Sequence, residues 1–159
     1  MPSFVYDMKK IPFTSAVIGL LMFTVFSISC SFGPGSYPNA EIYEFDMPQK
    51  DLIDKIQKFK SENPNLKLPK EINDILSEGY SKNDNRNFWY HIYFYYPDKN
   101  EIVKTWVRSH GKTKATFAFV AINKGLKLGN WKLVNEDFFW WNNEPMKEEF
   151  EERILKKIK

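Results

Sequence analysis

Residues 88–123 read FWYHIYFYYPDKNEIVKTWVRSHGKTKATFAFVAIN. Three runs in this stretch are rich in aromatic and β-branched residues, which favour strands. Two short polar segments, Pro97–Asn100 and His110–Lys112, separate the runs and have the composition of turns. The stretch therefore predicts a three-stranded antiparallel meander made of Phe88–Tyr96, Glu101–Ser109 and Ala115–Asn123.

The segments that flank the meander predict helices and two further short strands. Residues 50–62 place their apolar side chains on one face of a helix. Asp46 with Gln49 fits a capping box at its start, and a plain turn at Met47-Pro48 is the alternative. Asn143 is a candidate cap for a C-terminal helix, whose early glutamates and late lysines suit the helix dipole. The predicted elements are strands at Glu41–Phe45 and Trp131–Val134, helices at Lys50–Glu62 and Asn143–Lys159, and a weaker helical turn at Pro69–Ser77.

Helices segregated from a run of strands indicate an α+β fold. We expect a single domain in which the first and last helices cover one face of a four- to five-stranded antiparallel sheet. Because side chains alternate along a strand, each face of the sheet can be assigned in advance. The face beneath the helices is predicted to hold Phe88, Tyr90, Ile92, Phe94, Tyr96, Val103, Thr105, Val107, Phe117 and Phe119.

The opposite face of the sheet is the candidate binding surface, because it combines aromatic and basic side chains with one histidine. Trp, Tyr and Arg are enriched at interface hot spots, and exposed aromatic rings also stack on sugars or pair with cations. Thr116 and Ala118 are small and leave room beside these side chains. The predicted partner-binding residues are Trp89, His91, Tyr93, Tyr95, Lys104, Trp106 and Arg108.

A second interpretation of this face stays open at the level of sequence. The loop from Leu66 to Asn87, or the stretch Phe138–Trp141, could fold over it and form a second small core, since large apolar patches are rare on monomers. Phe138–Trp141 contains four aromatic residues in a row, which cannot all point the same way. One or two of them are therefore predicted to remain at the surface.

The N-terminal residues have the pattern of an export segment. Lys9 and Lys10 precede an uncharged, largely apolar run from Ile11 to Ser29, the order of a signal peptide. A core helix of a soluble domain is the alternative, but a run of this length without a charge is typical of membrane-length segments. Residues 1–29 are accordingly interpreted as a signal peptide.

Ser27-Ile28-Ser29-Cys30 closes this run and resembles the lipobox of bacterial lipoproteins. The resemblance implies that Cys30 is lipidated and becomes the mature N-terminus, which anchors the protein to a membrane of the cell envelope with its domain facing the periplasm or the exterior. Residues 30–40, with their glycines and prolines, then form a flexible tether before a domain at residues 41–159. An uncleaved signal anchor is the alternative, and it places the domain on the same side.

Composition and spacing exclude several classes of function. The net charge is only +3, and no cationic run indicates a nucleic-acid partner. His91 and His110 match no common metal-ligand spacing, so neither a metal nor a cofactor is predicted. Gly125 and Gly129 are better explained by turn geometry than by a phosphate-binding loop.

These observations favour a non-catalytic function. The leading interpretation is a membrane-tethered lipoprotein whose domain binds a protein partner in the cell envelope, as an immunity protein or an accessory subunit does. A glycan- or small-ligand-binding lipoprotein is the alternative. A hydrolase that uses His91 or His110 is a third reading, for which the sequence offers no catalytic partner group.

Overall fold

The computed structural model describes residues 37–80 and 88–159. The predicted signal peptide, the predicted lipid-attachment residue Cys30 and the first part of the predicted tether lie outside these residues. Asn39–Lys159 form one unit with its own core. The Asn135 side chain ties the start of this unit down, because its Nδ2 donates a hydrogen bond to the Asn39 carbonyl oxygen at 3.1 Å.

The centre of the unit is an antiparallel sheet of six strands. Its order is β1-β5-β4-β3-β2, and the short strand β6 also pairs with β5. β1 and β6 take different halves of β5, opposite 115–119 and 121–123 respectively. The strands are β1 Glu41–Phe45, β2 Gly79–Tyr80, β3 Tyr90–Tyr96, β4 Glu101–His110, β5 Lys114–Lys124 and β6 Trp131–Leu133.

The register of the sheet confirms the predicted division of its faces. Ile92 lies opposite Thr105 in the pairing of β3 with β4, and Val107 lies opposite Phe117 in the pairing of β4 with β5. The pairing of β4 with β5 shifts by one residue between Lys104, which lies opposite Ala121, and Thr105, which lies opposite Phe119. The prediction for Phe88 is wrong: this side chain precedes β3 and is exposed instead of joining the core.

Two helical segments cover one face of the sheet. The core between helices and sheet contains Leu52 and Ile56 from the first segment and Phe150, Ile154 and Ile158 from the last, all fully buried. The α+β prediction is confirmed. The helices are α1 Gln49–Glu62, α2 Lys70–Leu76 and α3 Trp140–Phe150; a 3₁₀ turn at Pro64–Leu66 precedes α2, and α3 continues through a π-helical turn at Glu151–Leu155 and a last turn at Lys156–Ile158.

No helix within residues 37–80 and 88–159 is long and apolar enough to cross a membrane.

Both predicted helix caps are wrong. α1 begins at Gln49, directly after Pro48 and without a side-chain cap, and the Gln49 Nε2 donates to the Val107 carbonyl oxygen at 3.2 Å. Asp46 instead forms an ion pair with Lys114 at 3.0 Å. α3 begins three residues before Asn143, which is buried inside the helix and accepts a hydrogen bond from the Asn135 N–H at 3.0 Å.

The turn between β5 and β6 confirms the prediction that its two glycines are required by turn geometry. Gly125 and Gly129 have φ angles of +77° and +111°, which residues with a Cβ rarely adopt. The buried Asn123 side chain fixes the loop between them by donating to the Gly125 carbonyl oxygen at 2.8 Å and accepting from the Asn130 N–H at 3.0 Å. These glycines therefore have a structural role.

Candidate functional site

Six of the seven predicted partner-binding residues lie on β3 or β4 and share one face of the sheet, whereas Trp89 precedes β3. His91 lies opposite Trp106, and Tyr93 lies opposite Lys104. Trp106 faces Ala118 on β5, as the small residues there predicted. The Arg108 guanidinium lies 5.7 Å from the centre of the Trp106 ring.

Much of this face is covered, however. Tyr93 is only 7% exposed and Trp106 only 2%. Leu68 and Ile72 pack against Tyr93 and Ile102 and form a second, smaller core, with Leu76, Tyr95, Leu128 and Trp131 at its margin. Leu68, Ile72 and Leu76, which belong to the described part of the segment named in the second interpretation, thus pack over this face. Such burial argues against direct contact of Tyr93 or Trp106 with a partner, whereas Trp89, His91, Lys104 and Arg108 are half-buried.

Among the residues that the structure describes, the most exposed large apolar side chains lie at the start of α3. Phe139, Trp140 and Trp141 are 68%, 76% and 54% exposed, and we call these three residues the aromatic patch. The rings of Phe139 and Trp141 are stacked with centroids 4.7 Å apart, and Trp140 meets Trp141 edge to face at 5.7 Å. Phe138 packs against the main core. The patch is larger than the one or two exposed rings predicted.

A cleft of about 360 Å³ adjoins the aromatic patch. Phe138 and Asn142, the residues immediately before and after the patch in sequence, line the cleft together with Lys99, Lys124, Lys132, Glu101, Ile122, Pro145, Met146 and Glu149. We call it the lysine cleft. Its acidic residues are partly neutralised, since Glu149 pairs with Lys99 and with Arg153.

The charge of the lysine cleft is mainly positive. Within residues 37–80 and 88–159, neither Lys124 nor Lys132 forms an ion pair. Lys132 Nζ lies 5.8 Å from the centre of the Phe138 ring. Burial raises the pKa of Glu101, while Lys99 and Lys124 act in the opposite direction. Lys132 thus supplies a positive charge beside the exposed rings, and the charge of Lys124 is partly balanced by Glu101.

A second concave site lies between α1 and α2, and it contains a buried ion pair. Lys60 is 5% exposed, and its Nζ binds Glu78 and also donates to the Tyr93 carbonyl oxygen at 2.8 Å. The Tyr93 N–H in turn donates to Glu78 Oε1 at 2.9 Å. Burial lowers the pKa of Lys60, and Glu78 partly offsets that effect.

This ion pair completes the edge of the sheet. β2 pairs with only two residues of β3, Tyr90 and His91. Beyond that point, Lys60 and Glu78 bind the backbone C=O and N–H of Tyr93, two groups that a longer edge strand would otherwise bind. The Lys60–Glu78 ion pair therefore has a structural role at the sheet edge, and it also lines the cleft between α1 and α2.

The two histidines lie in different settings. His110 is exposed, with its Nδ1 3.7 Å from Glu44 Oε1, and His91 is half-buried on β3. Among the residues that the structure describes, no three His, Cys, Asp or Glu side chains are grouped so that they could hold a metal ion.

Comparison of the chain with protein-family models, with curated proteins and with solved structures finds no match. Sequence reasoning missed Lys60, although a signal was present: Lys60 follows Ile56 by four residues and so continues the apolar stripe of α1.

Proposed function

We propose that this chain is a membrane-tethered bacterial lipoprotein whose domain is a non-catalytic module that binds the acidic surface of a protein partner through the aromatic patch and the lysine cleft. The observation that carries the proposal is the exposure of three consecutive aromatic side chains, Phe139, Trp140 and Trp141. Each has more than half of its surface exposed although the domain has an extensive core.

The aromatic patch has the properties of an interface hot spot. Trp is among the residues most enriched at such positions, and contiguous exposed apolar surface on a folded domain commonly marks a binding site. The rings contact one another, so their conformational freedom is reduced before a partner arrives, which lowers the entropic cost of binding. The patch can therefore supply most of the binding free energy.

The lysine cleft determines the charge of the partner that fits. Lys124 and Lys132 lie beside the patch, and in the described parts of the chain neither forms an ion pair, although Lys124 lies opposite Glu101 in the sheet. Charges at the margin of an interface steer association and set specificity more than affinity. An acidic surface around an apolar recess is the complementary partner surface.

The first test is the double variant Trp140→Ala/Trp141→Ala. We expect it to weaken capture of the partner by at least about tenfold, because two exposed anchors are removed, and to leave the fold intact. Tagged full-length chains are expressed in the native cell, cross-linked in the envelope and purified, and the partner is identified and quantified by mass spectrometry.

Ile75→Ala is the matched control, because Ile75 is an exposed apolar residue on α2, outside the patch. Its yield of partner should equal that of the wild type. Equal capture by wild type and double variant would sink the assignment of the patch. If no protein co-purifies but envelope glycans quench the tryptophan fluorescence of the wild type, the alternative of a glycan-binding lipoprotein takes its place, with Trp140 as the stacking surface.

Membrane attachment is tested at Cys30. We expect Cys30→Ala to move the chain from the membrane fraction to the soluble fraction and to abolish incorporation of a labelled fatty acid, because a covalent lipid adds free energy of membrane binding for every buried CH₂ group. Cys30→Ser, which keeps a similar size but no thiol, should behave in the same way. Full membrane retention of both variants would favour an uncleaved signal anchor.

A further inference from the structure

The cleft between α1 and α2 has the composition of an anion site. Its volume is about 370 Å³, and seven of its eight lining residues are polar or charged. It is lined by Gln57, Lys60, Ser61, Lys67, Leu68, Lys70, Asn73 and Glu78, and we call it the α1–α2 cleft. Three of these eight residues are lysines, against a single acid.

The single acid of the α1–α2 cleft is already occupied. Glu78 accepts hydrogen bonds from Lys60, from the Tyr93 N–H at 2.9 Å and from Gln57 Nε2 at 3.3 Å. One positive charge of the cleft is thus balanced internally by Glu78. The remaining two lysines, Lys67 and Lys70, form no ion pair with any residue of the described ranges 37–80 and 88–159.

The two unbalanced lysines extend from an anchored backbone. Leu68 lies between them in sequence and Ile72 follows, and both side chains are buried in the second core against Tyr93 and Ile102. Pro69 further restricts the backbone between them. The positive charge of Lys67 also lowers the pKa of Lys60, although burial and Glu78 have larger effects on that pKa. Positive charge is therefore concentrated at one fixed place.

We propose that the α1–α2 cleft binds a small phosphate-bearing anion, with Lys67 and Lys70 as its charged donors and the Asn73 amide as a neutral one. Lysine binds phosphate as a compact point charge with three donors. The cleft lies at the lower end of the size range for ligand pockets, which suits a phosphate group with a short organic substituent. Such a ligand is either a free phosphate compound or the headgroup of a phospholipid. The site is separate from the aromatic patch and stands whether or not the proposed function does.

Calorimetric titration of the full-length chain in a neutral detergent at low ionic strength tests the proposal. The two probes are inorganic phosphate and glycerophosphoglycerol, which is a deacylated lipid headgroup. We expect the wild type to bind at least one probe, and Lys67→Gln/Lys70→Gln to raise the dissociation constant by more than about tenfold, because each lost charge-assisted hydrogen bond is worth more than a neutral one. Tighter binding of one probe identifies the source of the ligand.

Lys112→Gln/Lys157→Gln is the matched control. It removes the same total charge from two exposed lysines outside the cleft, so its dissociation constant should stay at the wild-type value. The proposal is overturned if the wild type binds neither probe, if Lys67→Gln/Lys70→Gln binds as tightly as the wild type, or if the control loses as much affinity. Because all four lysines are exposed, both variants should keep the wild-type circular dichroism spectrum.

Discussion

Lys60→Met is expected to lower the free energy of unfolding by about 3–5 kcal/mol, the cost of removing one partner from a buried ion pair. Methionine matches the length of the lysine stem, so the cost arises from charge and hydrogen bonding. Glu78 would lose its counter-charge, and the Tyr93 carbonyl oxygen would lose its 2.8 Å hydrogen bond. Denaturant unfolding followed by tryptophan fluorescence measures the effect.

Two further variants separate this explanation from a general effect on α1. Lys58→Met makes the same chemical change on the same helix, but Lys58 has 77% of its side chain exposed and lies 4.0 Å from Glu62. Its effect should stay within about 0.5 kcal/mol. Lys60→Met/Glu78→Gln removes both charges and should recover part of the lost stability. A Lys60→Met variant as stable as Lys58→Met would contradict the structural role of the pair.

The sheet could be predicted from sequence because one local rule controls it. Alternation along a strand assigns side chains to faces, and the turns at Pro97–Asn100 and after His110 bring matching faces together. The register of Ile92 opposite Thr105 follows from these two features. Strand alternation does not extend to Phe88, which precedes β3 and is exposed.

The helix caps could not be predicted, because the side chains concerned make tertiary contacts instead. Asp46 and Gln49 have the right spacing for a capping box, but Lys114 binds the first and the Val107 carbonyl oxygen binds the second. Asn143 has a cap-forming side chain, yet Asn135 binds it inside α3. Cap propensity is weak compared with contacts made between elements distant in sequence.

The candidate sites were predictable only in part, for a similar reason. The sequence placed Tyr93 and Trp106 on one face correctly, but whether a face is open depends on where a distant segment packs. Leu68 and Ile72 belong to a short stretch with only a weak hydrophobic pattern. That pattern does not indicate that they contact Ile102. Conversely, Trp140 and Trp141 lie in an aromatic run, and nothing in that run indicates that Phe138 packs on the core while the rings after it are exposed.

Phe150→Ala is expected to lower the free energy of unfolding by about 3–5 kcal/mol, the usual cost of truncating a buried Phe. Phe150 is fully buried at the point where α3 meets the sheet. Its ring stacks on Phe119 with centroids 4.6 Å apart and lies 5.6 Å from Phe117 and 5.8 Å from Tyr43. Alanine would leave a cavity bordered by all three rings, and the unfolding midpoint in denaturant measures the loss.

Phe139→Ala is the matched control, since it makes the same substitution at the other end of α3, where the side chain is 68% exposed. Its effect on stability should stay within about 0.5 kcal/mol, while capture of the partner should decline. This pair of variants distinguishes aromatic residues that stabilise the core from aromatic residues proposed to bind a partner. If Phe139→Ala destabilised the domain as much as Phe150→Ala, the aromatic patch would belong to the core and its proposed role in binding would be lost. A stable Phe139→Ala variant with weakened capture would instead show that these rings are exposed because a partner contacts them.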